Sequence, residues 1–311
     1  MAQKTDLNIA PYYDDHVGSE NYVRTLFRPG FAIQARELTQ LQTQLQHQIE
    51  QHGSHIFKEG AMVIPGQVSY HKSWSSLKLA TTFAGETVDP SQYYNATTPV
   101  TITGVTTGVT AKVIGYAAAT TTDQPTLFIN YVGSGTDNEV RLFADGENIS
   151  ANAGITHTTS YSSAAASADA YTSEYSYAKG STPTQVESST GPAARSGHAV
   201  GVMAGVYFVR GFFVECTEQM LVLDKYKKGV SYRIGFNITE TLVVPETTTT
   251  LLDNATGSSN YAAKGAHRLQ LSLTLTKLDK DAITDSNFIE LLTTNAGVIE
   301  TIVNKSEYSI L

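Results

Sequence analysis

The run His267–Arg268–Leu269–Gln270–Leu271–Ser272–Leu273–Thr274–Leu275–Thr276 alternates apolar and polar side chains without a break. Leucine at every second position is the period of a strand with one face on a core, not that of a helix. The same alternation recurs outward from it, in Val100–Thr103, Gly108–Ile114 and Thr126–Val132, with turn signals at Gly133–Ser134–Gly135 and Asp145–Gly146–Glu147. Strands at this spacing predict a small barrel or sandwich over residues 99–150. Further strand patterns stand at Ala61–Gly66, Gln67–Tyr70, Gly205–Val214, Val230–Ile238 and Gly297–Val303, and Asp285 is placed to cap a short helix from Asn287 to Leu292.

One stretch carries a different period. Over residues 33–57, Leu38, Leu41, Leu45, Ile49, His52 and Ile56 recur at steps of three or four, while Gln42, Gln44, Gln46, Gln48 and Gln51 fill the other faces. This predicts a helix roughly 36 Å long at 1.5 Å per residue. Its heptad seam has one four-residue insertion. Gly53 weakens the last turn and Lys58–Glu59–Gly60 ends it. An amphipathic helix on its own domain is the ordinary reading. The seam is narrow and the next element is β, which points instead to packing between chains. Leu38, Leu41, Leu45, Ile49 and Ile56 are therefore the candidate oligomerisation residues.

The expected architecture is mainly β with one long N-terminal α-helix, multi-domain and elongated, made of small barrel or sandwich domains. Residues 1–60 form an extended arm and the coiled-coil-like helix. The arm, with Pro11–Asp15 irregular and a tight turn at Arg28–Pro29–Gly30, needs its own body or a neighbour to lie on. Residues 61–150 form a β domain. Residues 151–198 are rich in Ser, Thr, Ala, Gly and Tyr, with Ile155 and Val186 nearly alone as aliphatics, and predict a weakly packed loop or linker. Residues 199–311 form a second β domain containing the short helix near 287–292. The strand-like run before Tyr308–Leu311, with no polar tail, gives the expectation that the native polypeptide continues.

Composition narrows function. Charged residues are only 16% of the 311, and neutral polar side chains take their place, which suits strands and surfaces that meet copies of themselves. A formal net charge of −8 and scattered basic residues argue against a nucleic-acid groove. The densest basic run, Lys225–Tyr226–Lys227–Lys228, reads as a solvated turn. The single cysteine, Cys216, excludes an internal disulfide and fits assembly in a reducing cytoplasm, where it reads as a buried, inert thiol. The first residues lack the apolar region of a signal peptide, and Ala199–Val209 is too short to span a bilayer, so no membrane insertion is expected.

No nucleophile elbow, phosphate loop, dinucleotide fingerprint or metalloprotease motif is present. Asp14–Asp15 and the pair Asp279 and Asp281 are acidic neighbours, but closeness in sequence does not set a spacing across a sugar. His52 and His55 have the spacing of a metal pair, yet no Cys or carboxylate stands at ligand spacing, and His52 is accounted for as a seam residue. No catalytic residue, cofactor or metal is expected.

Two stretches, Ala10–Pro11–Tyr12–Tyr13–Asp14–Asp15 and Leu26–Phe27–Arg28–Pro29–Gly30–Phe31–Ala32–Ile33–Gln34–Ala35–Arg36–Glu37–Leu38–Thr39–Gln40–Leu41–Gln42, are followed by His55–Ile56–Phe57–Lys58–Glu59–Gly60. Together they resemble the N-terminal signature of a structural protein family of contractile-tailed phages, notably those of marine cyanobacteria. Val206–Val214 and Gly257–Leu269 resemble later signatures of that family, in the same order. The resemblance implies a virion protein of the tail: a baseplate-wedge or tail-fibre subunit, docked on the baseplate through its N-terminal region and assembled in the host cytoplasm. It also implies homotrimers and other baseplate or tail-fibre proteins as partners, and carries over no catalytic residue. The alternative is a carbohydrate-binding or depolymerising tailspike-type protein. Such proteins show a repeat-built β-helix or aromatic platforms, whereas this chain has one tryptophan, Trp74, and no repeat of fixed period.

Overall fold

The leucine alternation becomes the strand Arg268–Asp279 in the computed structural model, which describes residues 3–64, 66–161, 171–189, 191–282 and 285–302. The fold is mainly β with one long helix, Ala35–Ile56, and its largest sheet is a curled half-barrel of eight strands. By contact the chain divides into two compact units, each assembled from separated segments. One comprises Met1–Ser69, Val200–Leu221 and Ser231–Leu311; the other comprises Tyr70–Ala199 and Val222–Val230. The expected order of successive domains is therefore replaced by interleaved ones. The chain leaves the first unit within the strand Val68–Lys78 and returns within Ala194–Val202.

In the first unit, Arg268–Asp279 pairs antiparallel along its whole length with Tyr232–Val243, which pairs on its other side with Phe288–Asn295; Val298–Ile302 completes a four-stranded sheet. Phe236, Ile238, Leu273, Leu275 and Ile289 are buried. The helix expected over Asn287–Leu292 is thus a strand. Asp285 accepts a hydrogen bond from the N–H of Asn287 at 2.9 Å and the Phe288 N–H bonds back to the Asp285 carbonyl at 3.0 Å, so the aspartate closes a turn where a helix cap was expected.

A second sheet of this unit joins Ala61–Ile64, Gly205–Val209 and Phe212–Cys216. The continuous strand expected over Gly205–Val214 is folded into a hairpin. Arg210 and Gly211 have φ of 51° and 80°, and two successive left-handed residues make a two-residue turn whose twist matches the flanking strands. Glycine takes this conformation freely; Arg210 is held in it by the Glu59 carboxylate, which accepts its backbone N–H at 2.9 Å.

The eight-stranded sheet runs in the order Thr184–Gln185, Asn148–Ala151, Thr101–Gly104, Thr110–Ala117, Thr126–Gly133, Val68–Lys78, Ala194–Val202, Gln219–Asp224. Leu77, Ile102, Val113, Leu127, Ile129 and Ile149 are central to the core of the second unit. Residues 99–150 therefore do not close on themselves: they share one sheet with strands from before and after them. The linker expected over 151–198 is corrected too. Ile155–Tyr161 and Tyr171–Tyr177 pair along seven residues, and Ile155, Val186 and Ala193 enter the core. Backbone ladders need no aliphatic side chains, so a Ser/Thr/Tyr-rich segment can form strands on a core that others supply. Residues 162–170 lie outside the described residues, as do Val303 and Tyr308–Leu311.

The basic run is only half solvated. Lys225 pairs with Asp123 at 2.6 Å and the Tyr226 hydroxyl donates to the same carboxylate at 2.7 Å, while Lys227 and Lys228 are exposed.

Candidate functional site

The long helix begins where the Gln34 N–H donates to Glu37 at 2.9 Å, and ends at Phe57, whose N–H bonds the Gly53 carbonyl at 2.7 Å. Its orientation is the reverse of an ordinary amphipathic helix. The residues turned toward its own unit are polar or small: Thr43, Gln44, Gln46, His47, Glu50 and Gly53, with Gln44 and Gly53 buried. Gln46 donates to the Gly211 carbonyl at 2.6 Å, Thr43 bonds Asp14, and Gly53 sits against the Phe208 ring. A glycine there lets the helix backbone reach the sheet, which accounts for the residue that weakens the last turn.

The opposite side carries the seam. Leu38, Leu45 and Ile49 are exposed, Leu45 to 59%, and Leu41 and Ile56 are half-buried. Burying a leucine is worth roughly 1.5–3 kcal/mol, so a stripe of such residues turned outward leaves a large stabilisation unused by its own unit. His52 and His55 are exposed near the end of the helix. Among the described residues no group of three His, Cys, Asp or Glu side chains is placed to hold a metal ion, and no helix is long and apolar enough to cross a membrane.

The N-terminal segment separates into two parts. Residues 3–17 are stitched to the unit: Thr5 and Lys4 bond Glu240, Tyr12 bonds His267, Asp14 bonds Thr43, and Asp15 bonds Arg36 and Gln40. The acidic pair Asp14–Asp15 is thus consumed in fastening the segment to the helix. Residues 22–33 form a strap with little hold of its own, and Tyr22, Val23, Leu26, Phe27, Phe31 and Ile33 are all exposed. Sequence reading marked the segment as extended and in need of support but not this division; the signal was the density of apolar residues between Tyr22 and Ile33 with no strand alternation.

A buried ionic cluster anchors the tied part. Arg210 and Glu240, their side chains only 5% and 6% exposed, form an ion pair, and Asn287 accepts from both Arg210 and Lys4. Burial alone would raise the Glu240 carboxyl, but hydrogen bonds from the Thr5 hydroxyl, the Lys4 backbone and Arg210 outweigh it and bring it down to about 2. Glu240 and Asn287 together hold Arg210 of the hairpin turn and Lys4 and Thr5 of the N-terminal segment, which makes the cluster a fastening. Asp279 and Asp281 are exposed, and burial pushes the Cys216 thiol up, the state of an unreactive sulfur.

Comparison with protein-family models, with curated proteins and with solved structures gives no match to this chain.

Proposed function

We propose that the chain is a structural subunit of a contractile phage tail, a baseplate-wedge or tail-fibre-attachment protein that works by assembling and not by catalysis. The observation that carries this reading is the outward-turned seam Leu38, Leu45 and Ile49 on a helix whose polar face is packed inward. A side chain of that kind finds burial in a partner. The low charge content lets identical chains approach closely. The resemblance of the stretches Ala10–Asp15 and Leu26–Gln42 to a tail-protein signature supplies the setting, and the common trimeric state of such proteins supplies the number three. In this reading the seam joins three helices, and the β units carry the contacts to neighbouring tail proteins, transmitting receptor engagement mechanically.

The test is localisation. Antibody raised against the purified chain should decorate the tail baseplate of intact virions of the source phage in electron micrographs. Labelling absent from the tail, or turnover of a host polysaccharide by the purified chain, would replace this reading.

A further inference from the structure

The exposed strap invites the same question as the seam: what covers it. Between Tyr22 and Ile33, Thr25 alone is half-buried; every other residue is exposed, with Leu26 at 74% and Val23 at 70%. One long bond, Thr25 Oγ1 to Gln44 Oε1 at 3.3 Å, links the strap to the helix. Within the strap, the Phe31 N–H bonds the Arg28 carbonyl at 3.4 Å and the Arg28 guanidinium lies over the Phe31 ring at 4.3 Å. Six large apolar side chains directed at water in twelve residues are more than an isolated soluble surface normally carries.

Two observations name the occupant. The strap is continuous with the seam along the chain, because exposed Ile33 lies two residues before Ala35, where the helix begins, and exposed Leu38 stands three residues after it. The strap is also basic. It carries Arg24 and Arg28 with no carboxylate, in a chain of formal charge −8, so the surface most complementary to it in sign is the remainder of another copy.

We propose that the strap over residues 22–33 is the second half of the self-assembly surface: a second copy of this chain packs its apolar side chains and places carboxylates opposite Arg24 and Arg28. This rests on the self-assembly reading, and extends it from the helix to a composite interface of strap and seam.

The test uses the full chain. Sedimentation equilibrium is run on the wild type, on Leu26→Ser with Phe31→Ser, on Arg24→Glu with Arg28→Glu, and on the seam variant Leu45→Asp with Ile49→Asp; hydrogen exchange of residues 22–33 is followed at low and high protein concentration. All substitutions are at exposed positions, and circular dichroism checks the fold. The expected result is a dissociation constant at least tenfold weaker for both strap variants, loss of salt sensitivity in the arginine variant, and slower exchange of the strap in the oligomer. A strap that exchanges equally fast in an oligomer of unchanged affinity would overturn the inference, while dissociation by the seam variant would leave the helix reading standing. A wild type that is monomeric at every concentration would overturn both. Protection of the strap only in assembled tails, and not in the homo-oligomer, would assign it to a different tail protein and end the second-copy claim.

Discussion

Gly53 and Phe208 stand so close that a Cβ on Gly53 would lie 2.5 Å from Phe208 Cε2 and 2.8 Å from Cζ. Phe208 cannot step aside, since it is 2% exposed and its ring neighbours Phe57 and Phe213 at centroid distances of 5.8 and 5.4 Å. Glycine in a helix interior costs about 1 kcal/mol against alanine, so on propensity alone Gly53→Ala would stabilise. The overlap reverses the sign. Gly53→Ala is expected to destabilise the protein by roughly 1–3 kcal/mol, the range for overpacking a filled core. A raised melting temperature for this variant would show that the helix is not seated on Phe208.

Glu240 ties the segment 3–17 to the four-stranded sheet, and its charge is part of that tie. The carboxyl ordinarily titrates near 4.5 and in the folded protein at about 2. A depressed carboxylate contributes stability that is complete above the unfolded value and is lost as the pH falls from there toward the folded one. Acid unfolding between about 4.5 and 2 should therefore lose a Glu240 contribution. Glu240→Gln should flatten that part of the profile and, by leaving the buried Arg210 guanidinium unpaired, lower stability near pH 7 by roughly 3–5 kcal/mol. An unchanged acid profile in Glu240→Gln would contradict the assignment.

A second acid response belongs to the other unit. His157 is fully buried; its Nδ1 accepts the Asp89 N–H at 3.3 Å and its Nε2–H donates to the Pro183 carbonyl at 2.8 Å. Burial lowers its pKa below the ordinary 6.5, against the smaller opposing effects of the Pro183 bond, Asp89 and Glu86. A neutral ring fits these partners, and a protonated one would turn a donor toward the Asp89 N–H. The stability this ring contributes is complete above about 6.5 and is lost as the pH falls below it. Trp74, the only tryptophan, lies in the same unit near Phe128 and reports on it. The urea midpoint followed by Trp74 fluorescence should drop between pH 7.5 and 5, and His157→Gln should show a shallower drop. Equal slopes in the two proteins would rule out His157 as the source.

The elements that could be read ahead were those whose periodicity is unbroken. The leucines of 267–276 gave a strand and the seam residues gave a helix, seen over Ala35–Ile56 within the expected 33–57. The readings that failed did so where local chemistry has two uses. Asp285 suits a helix cap and a turn equally, and the pairing of Phe288–Asn295 with Tyr232–Val243 decides between them. Arg210–Gly211 sits inside an apolar run whose alternation hides a two-residue turn, visible only in the two positive φ angles. Within 151–198, Ile155–Tyr161 and Tyr171–Tyr177 were illegible because they pair with each other without aliphatic alternation, and Thr184–Gln185 because its partner Asn148–Ile149 lies far away in sequence. In the candidate site, the helix that carries the seam was legible, but the polar face packed inward and the outward-facing strap were not. Both depend on what the helix rests against, which no local pattern encodes.

The seam also predicts a clean separation of assembly from folding. Leu45→Asp and Ile49→Asp replace exposed residues, so the circular dichroism and the Trp74 fluorescence of each variant should match the wild type. Loss of folded signal would instead mean that the seam is buried within its own unit.

The central claim is self-assembly through the helix, and the most direct measurement is the mass of the full chain by sedimentation equilibrium over a wide range of concentration. The account predicts a wild-type species of three times the 33.5 kDa chain mass, and a single-chain mass for Leu45→Asp with Ile49→Asp. A wild type that stays at one chain mass throughout, or a double variant that keeps the wild-type mass, would contradict it.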